Sequence, residues 1–393
     1  MQSIVIDKPY VPVPPYHGKI WPWMLRLYAP HYMRRVYGVT QVECLHGDRL
    51  RQSVKAGHGV MITPNHCRDE DPLVLAPLSA SANTPFFFMA SWHAFMQSRR
   101  MAFLLRRGGV FSIYREGIDR TAVNTAIDIL ESAERPLVIY PEGYLARTND
   151  VINDFFDGVS LMARTAAKRR AKKDANAKVV IHPVAIRYKF QGDITAAAEK
   201  ILTMIEKRLT WSRQNLPLFE RIHKIGGALL ALKELEYLGQ ADNGEIAPRL
   251  KKLTNAILDP LEIEWLKETY DDSVVARVKR LRSAILPDMT TGELEEKEKD
   301  RRWKQLADIY LANQLFHYPP DYLAANPTTD RILETIERME EDLTDKITVH
   351  GEIHATVTVG EAIEVTGDRQ RGGSDPILEQ IRSQLESMLG ITK

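Results

Sequence analysis

Through the first half of the chain, short apolar runs alternate with longer segments whose apolar residues recur at helical spacing. Residues 39–45, 59–63, 84–89, 110–114, 137–140 and 179–186 read as strands, and 20–37, 71–78, 92–107, 121–132 and 155–173 as helices. Strands and helices taking turns at these lengths predict an α/β fold: a mostly parallel central sheet flanked by crossover helices. In such sheets the ligand crevice lies at the carboxyl ends of the strands. Past Phe190 the pattern becomes helical from 195 to 347. Val274, Val275, Val278, Leu281 and Ile285 follow the cap Asp272-Ser273, and Ile332, Leu333, Ile336, Met339 and Leu343 follow Thr328-Thr329-Asp330. These stripes are packing faces. Residues 346–365 return to alternation, with Ile347, Val349, Ile353, Ala355, Val357 and Val359 on one set of positions, and 376–389 form a last helix. No internal repeat of fixed period is expected.

Four regions follow: an N-terminal arm and amphipathic segment (1–37), an α/β core (38–190), a helical stretch (191–345), and returning strands with a terminal helix (346–393). Segment 20–37 mixes Trp21, Trp23, Leu25, Leu27, Tyr28, Tyr32 and Val36 with Arg26, Arg34 and Arg35. It suits a helix lying at a lipid headgroup layer or one packed on its own domain, and Pro22 and Pro30 are expected to interrupt it.

Composition narrows the classes. The 393 residues are 44% hydrophobic and 27% charged, with a net charge of +1, so no global field recruits nucleic acid. Two cysteines, Cys44 and Cys67, are too few for a disulfide framework or a cysteine metal site, and a reducing, cytoplasmic compartment is expected. Residues 1–15 hold Asp7 and four prolines and lack the pattern of a secretory signal. No apolar run approaches the roughly 18 residues that span a bilayer, so any membrane contact is expected to be peripheral. The run Lys168-Arg169-Arg170-Ala171-Lys172-Lys173 reads first as a solvated helix end and second as a site for anionic lipid.

Candidate chemistry concentrates at Asn65-His66-Cys67-Arg68-Asp69-Glu70-Asp71, where an apolar run meets turn formers. A neutral imidazole is a suitable base for activating an alcohol, and a carboxylate on its far nitrogen fixes the tautomer and stabilises the imidazolium that forms. Asp69, Glu70 and Asp71 all compete for that role. Five residues of regular helix would separate His66 and Asp71 by about 140°, so the chain must turn non-helically between them. Cys67 next to His66 raises a covalent acyl-cysteine alternative, which adjacency in sequence does not favour.

Three more segments follow in order: Gly109-Val110-Phe111-Ser112-Ile113-Tyr114-Arg115, Tyr140-Pro141-Glu142-Gly143 and Ile181-His182-Pro183-Val184. Together with His66-(four residues)-Asp71, and with Phe156-Asp157-Gly158, they make 38–188 resemble the glycerophospholipid acyltransferase family, whose best-known members are lysophosphatidate acyltransferases. The resemblance implies transfer of a fatty acyl group from an acyl-CoA or acyl-carrier-protein thioester to a hydroxyl of a lysophospholipid acceptor. No bound cofactor, metal or covalent intermediate is implied. It selects Asp71 as the partner of the base His66, and makes Arg115, Glu142, Gly143 and Pro183 substrate-binding residues. It also makes 191–345 an all-helical insertion, because Val357-Thr358-Val359-Gly360-Glu361 is similar to the strand that usually follows soon after the proline motif. Two departures concern the acceptor. Tyr144 and Leu145 stand where a small hydroxyl residue and an arginine are usual, leaving Arg147 as the nearest guanidinium, and Ser112 replaces an aromatic. The alternative from another class is a non-catalytic lipid-binding or scaffold protein that keeps the fold.

Overall fold

The apolar runs assemble into one sheet of eight strands: β1 (Val39–Leu45), β2 (Gly59–Pro64), β3 (Phe87–Ser91), β4 (Val110–Ile113), β5 (Leu137–Val138), β6 (Val179–Phe190), β7 (Ile353–Val359) and β8 (Ile363–Glu364). A computed structural model describes residues 8–212, 215–290, 294–319, 321–346, 348–367 and 375–391, and Ile347 of the alternating segment lies outside them. The strand order is β1-β7-β6-β2-β5-β3-β4, with β8 on β6. Pairing is parallel except where β7 and β8 run antiparallel to β6. β2 is central and buried at all six positions, which is why it reads as an unbroken apolar run.

In the chain's first 192 residues the helices are α1 (Ile20–Tyr37), α2 (Gly47–Lys55), α3 (Asp71–Val74), α4 (Ala76–Ser81), α5 (Trp92–Met96), α6 (Arg99–Arg107), α7 (Arg120–Ser132) and α8 (Gly158–Lys173). Ala126, Ile129 and Leu130 of α7 and Met162, Ala163 and Ala166 of α8 pack with Met61, Phe87, Leu137 and Ile181 of the sheet. The terminal helix 376–389 adds Ile377, Ile381 and Leu385 to this core. His182, alternate to Ile181 and therefore on the opposite face, meets Ser53 of α2.

Several boundaries differ from the sequence reading. Helix α1 runs through both prolines: Pro22 sits in the first turn, where no amide donor is needed, and Pro30 is exposed, so the carbonyl it deprives can be hydrated. The segment 92–107 is two helices, because Ser98 stops one and caps the next by accepting the Met101 amide at 3.1 Å. β6 extends to Phe190, its buried Tyr188 and Phe190 alternating with exposed Arg187 and Lys189 beside β7.

His182 ties the returning strand to the sheet. Its Nδ1 donates to the Gly360 carbonyl at 3.1 Å, and its Nε2 accepts the Ser53 hydroxyl at 2.9 Å. Burial lowers its basicity below the ordinary histidine value of 6.5. Below that pH the unfolded chain takes up a proton that the folded chain refuses. Stability is therefore fully present above pH 6.5 and falls with acidification, by at most ~1.4 kcal/mol per pH unit from this group. Urea midpoints at pH 7.5 and 5.5 check it: the drop should be smaller in His182→Gln, and an equal drop in both would remove His182 as the cause.

The second compact unit comprises 193–348, with 115–117 and 8–10. It is built from α9 (Ile194–Arg208), α10 (Leu218–Leu238), α11 (Ile246–Leu266), α12 (Val274–Ile285), α13 (Glu296–Phe316), α14 (Tyr322–Ala325) and α15 (Thr329–Thr344); the terminal helix of the α/β unit is α16 (Pro376–Leu389). Helices α10 to α13 share a core of Leu230, Leu253, Leu258, Leu281, Ile285 and Ile309. The expectation of no fixed-period repeat is corrected here. Arg221 of α10 grips Glu206 of α9, Arg249 of α11 grips Glu234 of α10, and Arg277 of α12 grips Glu262 of α11, each with a sequence separation of 15. All three are bidentate, with Nε and Nη2 on the two carboxylate oxygens at 2.8–2.9 Å. The glutamates recur every 28 residues (206 to 234 to 262), and the arginines keep step (221 to 249 to 277). Each pair joins the end of one helix to the start of the next. A buried pair of this kind adds little net stability over apolar packing, but losing one partner costs about 3–5 kcal/mol, so it fixes which helix follows which.

Candidate active site

β2 ends at Pro64, and the chain turns through residues 65–70 before α3 begins at Asp71, whose amide bonds the Arg68 carbonyl at 3.1 Å. This non-helical turn folds the His66 ring back onto Asp71. His66 Nδ1 donates to Asp71 Oδ2 at 2.8 Å. The same oxygen accepts the amides of Cys67 at 2.8 Å and Arg68 at 3.1 Å, and Oδ1 accepts the Tyr188 hydroxyl at 2.6 Å. Asp71 is fully buried. A carboxylate only accepts, so the ring proton sits on Nδ1 and the lone pair on Nε2. Among the described residues no protein group bonds Nε2, and the His66 side chain is 21% exposed. The Tyr140 ring stacks on His66 with centroids 4.0 Å apart and planes 21° apart. An aromatic face there favours the ring when it becomes charged.

Two asparagines hold this corner. The β2·β6 ladder reaches Pro64 opposite Val184, and beyond it Asn65 takes over as a side-chain strand, bonding the Ile186 amide at 2.7 Å and carbonyl at 2.9 Å. Two residues on, Asn149 does the same for Tyr188, at 2.8 Å to the amide and 2.6 Å to the carbonyl. The backbone of Tyr188 is thus fixed, and its hydroxyl can hold Asp71. Asp69, by contrast, is exposed and pairs with Arg147 at 3.6 Å, and Glu70 lies 3.8 Å from Arg68. Of the three competing carboxylates, Asp71 is the one against the ring.

The turn after β5 closes the other side. Gly143 takes φ +71°, and a side chain there would strike the Phe156 ring at 2.4 Å, so both conformation and space require glycine. Ala146 donates its amide to the His66 carbonyl at 2.7 Å, stitching this turn to the His-Asp turn. Glu142 is fully buried and accepts the Asn153 amide at 3.0 Å and side chain at 2.8 Å. Burial pushes its carboxyl up, and Asn153 and then His66 pull it back. Helix α16 steadies this segment through Arg382, which bonds the carbonyls of Ile152 at 3.1 Å and Asn153 at 2.7 Å. Glu142 Oε1 and the Tyr140 hydroxyl are buried without a hydrogen-bond partner among the described residues. Such groups in a native site call for a ligand or water.

His66, Asp71, Glu142, Gly143 and Arg147 therefore come together at the carboxyl ends of β2 and β5. Pro183 lies inside β6 opposite Thr63, and its carbonyl accepts the Gly360 amide at 2.8 Å. It stands where the antiparallel neighbour changes from β7 to β8, so its missing donor falls at a break in that ladder. Arg115 belongs with the helical unit, where Glu116 pairs with Arg282 at 2.5 Å and Arg282 and Lys279 are its charged neighbours. Tyr144 and Leu145 are half-buried. Cys67 is 3% exposed, its Sγ set among Asp71, Asn149 and the Ile186 carbonyl, a packing position that gives the acyl-cysteine alternative no open face. Ser112 plays a structural part. Its hydroxyl accepts the Val13 amide at 2.8 Å and its own amide bonds the Val13 carbonyl at 3.0 Å, so the N-terminal arm covers the β4 edge.

Sequence reasoning missed Tyr140, Tyr188, Asn149 and Asn153. Tyr140 adjoins a motif and Asn153 lies 11 residues from Glu142, whereas Asn149 and Tyr188 act on residues 39 and 117 positions away. Residues 44–187 match the family model Acyltransferase, the family of glycerophospholipid acyltransferases. No curated protein matches the chain.

Proposed function

We propose that this chain, whose residues 44–187 form an acyltransferase-family domain, moves a fatty acyl group from an acyl-CoA or acyl-carrier-protein thioester to a hydroxyl of a lysophospholipid. The observation that carries the reading is the His66 Nδ1 to Asp71 bond of 2.8 Å, which leaves Nε2 as acceptor. In this reading the acceptor hydroxyl gives its proton to His66 Nε2 as its oxygen attacks the thioester carbonyl. Collapse of the tetrahedral intermediate expels the thiolate, which takes the proton back from the ring. Asp71 stabilises the imidazolium between these steps, and the Tyr140 face adds to it. Glu142, Gly143, Arg147 and Pro183 shape the substrate site.

Arg115 is assigned to a phosphate on the acceptor, a planar guanidinium being suited to a phosphomonoester. Arg115→Ala is expected to raise KM for a phosphomonoester lysolipid ~10- to 100-fold, and to leave KM for an uncharged monoacylglycerol within about twofold. The assay is thiol release from an acyl thioester across a lysolipid panel. No release with any acceptor would remove the acyl-transfer reading; equal KM changes for charged and uncharged acceptors would remove the role of Arg115.

A further inference from the structure

Helix α6 buries none of its nine residues, although it carries Met101, Phe103, Leu104 and Leu105. Phe103 and Leu104 are 45% and 42% exposed. Helix α1, in the same unit, buries Pro22, Ala29 and Met33 on one side. On its other side Ile20, Met24 and Leu27, spaced at four and three residues, are 73%, 54% and 77% exposed. The two helices meet where Trp21 packs edge-on against Phe103 at 5.3 Å, so their exposed apolar side chains adjoin.

Neither helix carries an acidic residue. From Lys8 to Val42, and again from Pro72 to Arg115, the sequence contains no Asp or Glu. Arg34, Arg35, Arg99, Arg100 and Arg106 are exposed, and among the described residues none is in an ion pair. The basic run of α8 differs. Arg169 pairs with Asp128 at 2.8 Å and Glu131 at 3.3 Å, Lys173 pairs with Glu131 at 2.5 Å, and Arg170 bonds the carbonyls of Glu131 and Gly57. Three of its five cations are engaged within the fold, in line with a solvated helix end. Exposed apolar side chains beside exposed, unpaired guanidinium groups match one partner, an anionic lipid surface whose acyl region receives the apolar side chains while its head groups meet the arginines.

We propose that α1 and α6 together form the face by which this chain docks on anionic membranes. It extends the acyl-transfer reading by saying where a lipid acceptor resides, and binding is read without turnover, so its failure would leave that reading standing. The test is flotation of the full chain with vesicles of pure phosphatidylcholine or of phosphatidylcholine with 30% phosphatidylglycerol. Wild type should partition at least tenfold better onto the anionic vesicles, and less so in high salt. Leu27→Asp with Phe103→Asp, and separately Arg99→Glu with Arg100→Glu, should each lower binding at least tenfold with unchanged circular dichroism. Arg169→Gln with Lys173→Gln should bind as wild type. Failure of wild type to float, or flotation of both α1/α6 variants as well as wild type, would overturn the proposal. So would a dimer that Leu27→Asp with Phe103→Asp dissolves without lipid, which would make this face a contact between copies.

Discussion

His66→Ala should lower kcat ~10³- to 10⁴-fold and leave KM for the thioester within about threefold. In the proposed reaction the ring takes the hydroxyl proton, since Asp71 is fully buried behind it and holds the His66 ring, two amides and the Tyr188 hydroxyl. Removing the ring leaves both substrates bound and the alcohol protonated, which is a loss in the chemical step. The fold should survive, because His66 is at the surface of the crevice and its backbone carbonyl keeps the Ala146 bond. Steady-state thiol release with purified variant and wild type measures it. Retention of more than a tenth of wild-type kcat would end the assignment of His66 as base.

Asp71→Asn is expected to cost nearly as much, ~10³-fold in kcat, for a different reason. An amide oxygen in the Oδ2 position can still accept from His66, Cys67 and Arg68, and the Tyr188 hydroxyl can rotate to accept from the amide nitrogen. Geometry is therefore kept while the negative charge is lost, and it is that charge that stabilises the imidazolium. Asp71→Ala should differ by also destabilising the protein, because each buried donor left unpaired costs about 1–3 kcal/mol. Combining His66→Ala with Asp71→Asn should lower kcat no further than His66→Ala alone, as the two act as a unit. Additive losses would separate them.

The sheet and the His66/Asp71 corner were legible because both depend on local patterns: apolar runs of strand length, and a histidine and aspartate held apart by turn formers. Tyr188 was not legible, because it serves Asp71 from 117 residues away and its neighbours Arg187 and Lys189 disguise the end of a strand. Asn149 imitates a strand with its side chain, a role that no pattern of polarity encodes. The N-terminal arm explains Ser112, whose hydroxyl looks like a departure from the family pattern until its bond to Val13 is seen. The paired Arg and Glu of the helical unit were hidden for a simpler reason: in a chain with 27% charged residues, six recurring charges are recognised only when they are found touching.

Those pairs also bear on how the helical unit arose. Each clasp ties a helix only to the one after it, and the three clasps share one geometry and one 28-residue step (206 to 234 to 262). A duplicated segment would arrive already carrying the arginine for the helix before it and the glutamate for the helix after it. The array can thus be lengthened by tandem copying without inventing a new contact, while β6 and β7 remain paired on either side of it. Its present size is one term of a series that copying could extend or shorten, with the His66 and Asp71 corner left untouched.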